Sequence, residues 1–297
     1  GEKSEEAQRL LESRIDKLGG TTNFGGSVAV FSAMEEAELL VGHTVIERAI
    51  MSGLPPRPVR RNPYTVVRPM RGSEHYGRKK LIEYLLTVQD SATWVVGTHR
   101  MGKTSLLRQV EWSILQGKNV TYVPLYWDIR ACESAEDLAN ALFSSINDEA
   151  DRFRSFGIDQ LSFHNADIIH SLQYLQQALS KQGKQLLLLI DEAEALVTVA
   201  RQNPIVLTRI RHSMQSGEFR TIMTATKNLI QLNDLMRKTI SAPFLSGFRL
   251  VNLWKLDLES TQAMIIQQQN EYQVEVSAKL IAEIIAHTNG HPYLTQF

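Results

Sequence analysis

The stretch VVGTHRMGKTSLL, residues 95–107, limits the folds open to this chain more than any other feature. A short apolar run from Trp94 to Val96 enters Gly97. Four residues later Gly102-Lys103-Thr104 opens a segment with the apolar spacing of a helix, running to about Gln116 and closed by Gly117. This is the spacing of a loop that wraps phosphate. The glycines let backbone N–H groups turn inward, and the helix N-terminus adds a partial positive charge. Thr98, His99, Arg100 and Met101 lie between the glycines, and Ser105 follows them on the helix. Lys103 is placed to reach the terminal phosphates, and Thr104 to ligate a divalent cation. Such a loop works only between a buried strand and a helix, which points to an α/β fold.

The downstream pattern agrees. Val120–Trp127 reads as a strand, and Ser134 with Asp137 three residues on opens a helix to about Phe153. A helix at about 166–181 precedes Gln185–Ile190, an unbroken apolar run of the kind buried on both faces of a sheet. A helix at about 204–216, a strand at Thr221–Thr226 and a strand at Arg249–Leu253 complete the alternation. From Glu259 onward only helices are predicted, at about 259–270 and, capped by Ser277, 278–287. Upstream, residues 4–18 and about 29–51 have helical patterns around a glycine-rich break at 19–26. The proline-rich GLPPRPVRRNP at 53–63 reads as an extended linker. The expected organisation is therefore an N-terminal helical segment at 1–52, a linker at 53–63, a nucleotide-binding domain at 64–254 and a helical domain at 255–297. The chain stops at HPYLTQF inside a helical pattern, as a fragment of something longer would.

Two further stretches carry chemistry. In LLLLIDEAE (186–194) an acid ends a buried strand, where ligands of open α/β sheets sit. Asp191 suits a magnesium shell, directly or through water, and Glu192 is placed to polarise an attacking water. In TIMTATKN (221–228) Thr226 is the candidate to touch the γ-phosphate or that water, with Lys227 next and Thr224 behind. Its alternative is to cap the following helix. Adenine is preferred over guanine because Leu229 stands where a guanine-reading aspartate would be. Arg209, Arg211 and Arg220 offer a possible arginine finger acting in trans, against the plainer reading of a solvated helix face.

Composition sets the remaining limits. Lysine plus arginine (32) balance aspartate plus glutamate (32), so no overall basic excess calls for nucleic acid, although Arg57, Arg60, Arg61, Arg68, Arg71, Arg78, Lys79 and Lys80 make a local basic stretch. One cysteine, Cys132, excludes an internal disulfide framework and fits a reducing cytoplasm. No apolar run is long enough for a membrane span, and the charged N-terminus is no signal peptide. His43, His164 and His170 lack zinc-ligand spacing, and Trp94 and Trp112 flank the loop as expected core residues.

Taken together, HYGRKKLIEYLL (75–86), VVGTHRMGKTSLL, LLLLIDEAE, TIMTAT and TNGHPYLTQF (288–297) resemble the STAND class of signal-transduction ATPases, relatives of AAA+ and origin-recognition ATPases. The resemblance covers about 63–297 and leaves 1–60 unmatched. It implies a P-loop NTPase fold with a five-stranded parallel sheet flanked by helices, followed by a small all-helical domain. It places Tyr76, Gly77 and Arg78 near the nucleotide and packs Pro292 of Gly290-His291-Pro292 on the adenine. It also implies ATP or ADP with Mg²⁺. No arginine stands cleanly at the end of the fourth strand, and the winged helix and sensor domains of the class are absent from these residues.

The leading reading is an ATP-dependent, slowly hydrolysing switch that oligomerises in the ATP state and controls an effector lying outside this stretch, with defence or stress signalling the role the analogy suggests. Residues 1–52 would then be an effector remnant, an adaptor or an oligomerisation element. An AAA+-like DNA-associated ATPase of the origin-recognition or transposition-helper kind shares the whole nucleotide site. A nucleotide-binding scaffold without hydrolysis is the third reading, and Glu192 argues against it.

Overall fold

The computed structural model describes residues 64, 66, 68–117, 121–158, 163, 167–237, 243–269 and 273–296. The chain divides into two compact units, Gly1–Asn62 and Pro63–Phe297. The first unit, with both expected N-terminal helices and the linker at 53–63, lies outside the described residues, as do His43 and His164.

In the second unit, helix α1 (Lys79–Thr87) leads to strand β1 (Ala92–Val96), the loop, and helix α2 (Lys103–Leu115). Strand β2 (Tyr122–Asp128) is followed by α3 (Ala135–Asp148), α4 (Ala150–Arg154) and α5 (Ile168–Ser180). Then come β3 (Gln185–Asp191), α6 (Ala195–Gln202), α7 (Pro204–Gln215), β4 (Arg220–Ala225), α8 (Gln231–Met236) and β5 (Arg249–Asn252). Helices α9 (Leu258–Ile265), α10 (Ala278–Thr288) and α11 (Pro292–Gln296) end it. The five strands form one sheet in the order β2-β3-β4-β1-β5, and every pairing is parallel. The loop leaves β1, between β4 and β5, while the strand bearing Asp191 sits between β2 and β4.

Alternation along β3 explains its unbroken apolar run. Leu186, Leu188 and Ile190 pack with α3, α5 and α7 on one face, while Leu187 and Leu189 pack with α1 and α2 on the other. Both faces are dry, so neither set can be polar. The opening of α3 follows its sequence signal, with Ser134 Oγ accepting from the Asp137 amide at 3.1 Å and Asp137 Oδ2 accepting from the Ser134 amide at 2.9 Å. The predicted single helix to Phe153 breaks at Glu149 into α3 and α4.

Helix α6 is not anticipated by the sequence pattern. Its segment, ALVTVARQ, is rich in β-branched residues and its start has no capping side chain, so the usual signals are missing. Trp94 is buried as expected, but Trp112 is not in the core. It lies on the outer side of α2, 37% exposed, with its indole against Gly72.

The C-terminal helices are stitched to what precedes the loop. The Leu253 amide donates to Val96 O at 2.8 Å, continuing β5, and the Leu256 amide donates to Gly290 O at 2.9 Å. Tyr76 is buried with Leu256 and Met264, and its hydroxyl accepts from the Gln269 amide at 3.3 Å. A buried leucine in this interior strand is the sharpest check on this layering. Leu188→Ala is expected to cost about 2–5 kcal/mol in urea denaturation; a loss under about 1 kcal/mol would contradict a dry face there.

Candidate functional site

Lys103 is the first residue of α2 and is 4% exposed, with Nζ 3.3 Å from the carbonyl oxygens of Gly97 and Thr98. The ammonium is thus held inside the loop curve, where a phosphate anion would meet it. Arg78 braces the loop from outside. Its Nη1 donates to Gly102 O at 3.1 Å and its Nη2 to Met101 O. Burial pulls this guanidinium down to about 10. The sequence resemblance places Arg78 beside the nucleotide; in the structure it faces loop carbonyls and does not line the cavity. Tyr76 and Gly77 likewise face the C-terminal helices. A Cβ at Gly77 would lie 2.7 Å from Ser260 Oγ, and one at Gly290 would lie 2.6 Å from Leu256 O, so both positions admit no side chain without displacement.

Asp191 is fully buried at the end of β3. Its Oδ2 accepts from Thr104 Oγ1 at 2.6 Å and from the Tyr126 hydroxyl at 2.8 Å. Its Oδ1 accepts from Thr224 Oγ1 and from the Glu192 amide at 3.1 Å. The loop helix, β2, β3 and β4 therefore converge on one carboxylate. Register explains why: Asp191 shares its β3 face with Leu187 and Leu189, the face α2 covers.

Glu192 follows in a left-handed conformation, φ 55°, unusual for a residue with a Cβ. The turn carries its side chain to the cavity wall. Burial raises the Glu192 carboxyl above its ordinary value, Lys103 opposes that rise, and Glu194 and Asp191 add to it. Thr224 and Thr226 divide differently from the sequence reading. Thr226 is expected at the γ-phosphate, but its hydroxyl accepts from the Asn228 amide at 3.3 Å, its amide donates to Glu194 Oε1, and it does not line the cavity. It caps the short 3-10 turn at Lys227–Ile230, while Thr224, two residues back and still within β4, meets Asp191.

The cavity beside the loop measures about 700 Å³. From the loop and α2 it takes Arg100, Gly102, Lys103, Thr104, Ser105 and Arg108, and from the acid strand Glu192. Pro292, Tyr293 and Gln296 of α11 close another side. Gly97, Thr98, His99 and Met101 belong to the loop without lining it. Arg100 lies over the Tyr293 ring, 4.3 Å from its centroid, so loop and α11 touch directly. Sequence reasoning missed Tyr126, Arg108, Asp128 and Arg130, which the cavity also collects. Period-2 alternation along YVPLYWD would have put Tyr126 and Asp128 on the α2 face once the register with β3 was known.

The candidate trans-acting arginines do not share one solvated face. Arg220 is 3% exposed at the start of β4 and donates to Leu85 O. Arg211 Nε donates to Phe244 O at 2.9 Å, and only Arg209 is free on the surface of α7. The basic stretch is partly spent as well, since Arg68 pairs with Glu74 and Arg78 is on the loop. Cys132 is buried and its thiol is pushed up to about 11, which leaves it inert. Among the described residues no group of three or more His, Cys, Asp or Glu side chains is placed to hold a metal, and no helix is long and apolar enough to cross a membrane.

With this geometry in place, comparison with known proteins is informative. Residues 87–232 match the AAA domain. That span runs from the end of α1 to α8 and so holds the loop, Asp191, Glu192, Thr224 and Thr226. A Walker-type ATPase of Pyrococcus abyssi superimposes with a TM-score of 0.62 at 20% identity, over 77% of this chain and 68% of that one. The Aeropyrum pernix ORC2 protein, solved in ADPNP–ADP complexes, gives 0.49 at 15% identity, over 73% and 58% of the two chains. At such identities the likeness is one of fold, and the fold is that of a P-loop ATPase. No curated protein matches the chain.

Two expectations follow. His75 is buried beside Arg78, and burial first, the guanidinium second, pull it down to about 4 from an ordinary 6.5. The folded chain keeps it neutral where the unfolded chain protonates, so stability attributable to His75 is whole above pH 6.5 and is lost as the pH falls toward 4. The slope reaches at most about 1.4 kcal/mol per pH unit, and denaturation midpoints of His75→Gln against the parent should show it flattened. Separately, Gly290→Ala, with φ 71° and no room for the Cβ itself, should loosen the 288–296 segment. Faster proteolysis of that segment with an intact sheet is the expected sign.

Proposed function

We propose that the chain is an ATP-dependent molecular switch of the STAND kind, in which a nucleotide bridges the AAA domain and the C-terminal helices. The supporting observation is the shared cavity: Pro292, Tyr293 and Gln296 of α11 face the same space as Lys103, Thr104 and Glu192. Its volume, about 700 Å³, is that of a small-molecule site. A ligand held from both sides stabilises one arrangement of the two over others, and hydrolysis changes which arrangement it favours.

The donor set fits a magnesium nucleotide. Lys103 and the amides of the loop, from Gly97 to Thr104, receive the phosphates, with Ser105 one step along α2. Thr104 offers a hydroxyl oxygen and Asp191 an acid behind it, the hard oxygen donors that Mg²⁺ prefers. The ion would supply charge neutralisation across the β- and γ-phosphates. Glu192, on the cavity wall, orients a water and accepts its proton. Pro292 is assigned to the base, and Tyr76, Gly77 and Arg78 act from behind by holding loop and helices together. Thr224 positions Asp191 from β4, whereas Thr226, first read as touching the γ-phosphate or the attacking water, caps the turn after that strand. Residues 1–52 serve as effector remnant, adaptor or oligomerisation element, and a cytoplasmic setting accords with the single free thiol.

Lys103→Ala should abolish binding of an ATP analogue, whereas Glu192→Gln should keep binding and lose turnover by about 10²-fold or more. Unchanged turnover in either variant contradicts the site. The switch itself is tested by solution mass with ADP and with a non-hydrolysable ATP analogue, where assembly only with the latter is expected. A monomer in both, with turnover raised by DNA, would instead favour a DNA-associated ATPase.

A further inference from the structure

Asp191 is saturated. A carboxylate presents about four lone-pair directions, and Asp191 receives four donors: Thr104 Oγ1, the Tyr126 hydroxyl, Thr224 Oγ1 and the Glu192 amide. With no exposed surface, it has no other partner to exchange for them. A direct bond from Asp191 to a cation therefore requires one donor to withdraw. Thr104 does not compete in this way, because its proton goes to Asp191 while its oxygen keeps lone pairs for the cavity.

The donor nearest the cavity that is neither on the loop nor on the backbone is Tyr126, and it is clamped. The Arg108 guanidinium lies over its ring, 3.4 Å from the centroid. Arg108 Nη1 pairs with Glu111 Oε2 at 2.9 Å, and Glu111, 3% exposed, pairs through Oε1 with Arg152 Nη1 at 3.1 Å. Arg152 also donates to Pro124 O at 2.6 Å, two residues before Tyr126 on β2. Swinging the phenol off Asp191 means breaking into a largely buried ion network, which is costly when one partner is left alone.

We propose that Tyr126 is a positioning residue that sets metal selectivity. It occupies the Asp191 oxygen that would otherwise bind the ion, so Asp191 acts on the ion only through the Thr104 hydroxyl. Mg²⁺ keeps several waters and suits such a site, whereas Ca²⁺ seeks six to eight oxygen ligands and loses one here. This rests on the reading of the cavity as a magnesium-nucleotide site, and the test separates the two.

The affinity of a fluorescent non-hydrolysable ATP analogue is measured in Mg²⁺, in Ca²⁺ and in EDTA, for the parent chain and for Tyr126→Phe. The parent should bind more tightly with Mg²⁺ than with EDTA, and more tightly with Mg²⁺ than with Ca²⁺. No gain from Mg²⁺ over EDTA overturns the nucleotide-site reading and this inference with it, and no preference over Ca²⁺ overturns the inference alone. Tyr126→Phe should narrow the Mg²⁺/Ca²⁺ affinity ratio by about tenfold; an unchanged ratio, including a parallel fall in both affinities, overturns it. Should Tyr126→Phe fail to fold, Arg108→Gln unclamps the ring and leaves Glu111 paired with Arg152. The same narrowing is expected there, and its absence is equally decisive.

Discussion

The arrangement of the site depends on one buried acid. Asp191 ends the interior β3 strand and accepts hydrogen bonds from α2, β2, β4 and the turn after it. A polar group taken from water must be matched inside the protein, or several kcal/mol are forfeited. Here every donor depends on the same two oxygens, so each side chain can occupy only one position. The loop helix is anchored to the sheet through Thr104, and the strand ends are held level by Tyr126 and Thr224. A geometry set this way needs little rearrangement to meet a charged ligand, which is what preorganisation contributes in phosphate chemistry.

A second set of contacts joins the loop to the C-terminal helices, one of them behind the cavity and one on its wall. Arg78 holds the loop carbonyls on one side, and Tyr76, two residues earlier, is buried with Leu256 and Met264 on the other. Arg100 on the loop lies over the Tyr293 ring of α11, and both side chains line the cavity. A shift of α11 is thereby felt at the loop from two directions. Coupling between a ligand and the packing of a neighbouring element requires such a shared, two-sided contact.

The fold was legible where burial leaves a period. The run at 185–190 read as a doubly covered strand because both faces of β3 are dry, and Ser134 and Ser277 announced α3 and α10 through their capping spacing. That Lys103, Thr104, Asp191 and Glu192 belong together was legible from their residue types and from the strand ends that carry them, and the structure brings all four to one place. Tyr126 was not, since its role depends on the register of β2 against β3, a long-range fact. Thr226 and Thr224 could not be told apart from the sequence: two residues apart, they share one side by strand alternation, and what separates them is that β4 ends at Ala225, leaving Thr226 to cap the 3-10 turn. Arg78 matched its motif yet points at carbonyls, because a residue name does not say on which side of a loop a side chain lies.

The central claim is that one ligand is gripped by the loop side of the cavity and the C-terminal helices together. Hydrogen exchange of the described chain with and without a magnesium ATP analogue tests it most directly. The account predicts slowed exchange in 97–105 and, in the same titration, in 288–296. Protection confined to the loop and the Asp191 strand, with 288–296 exchanging as before, would contradict it.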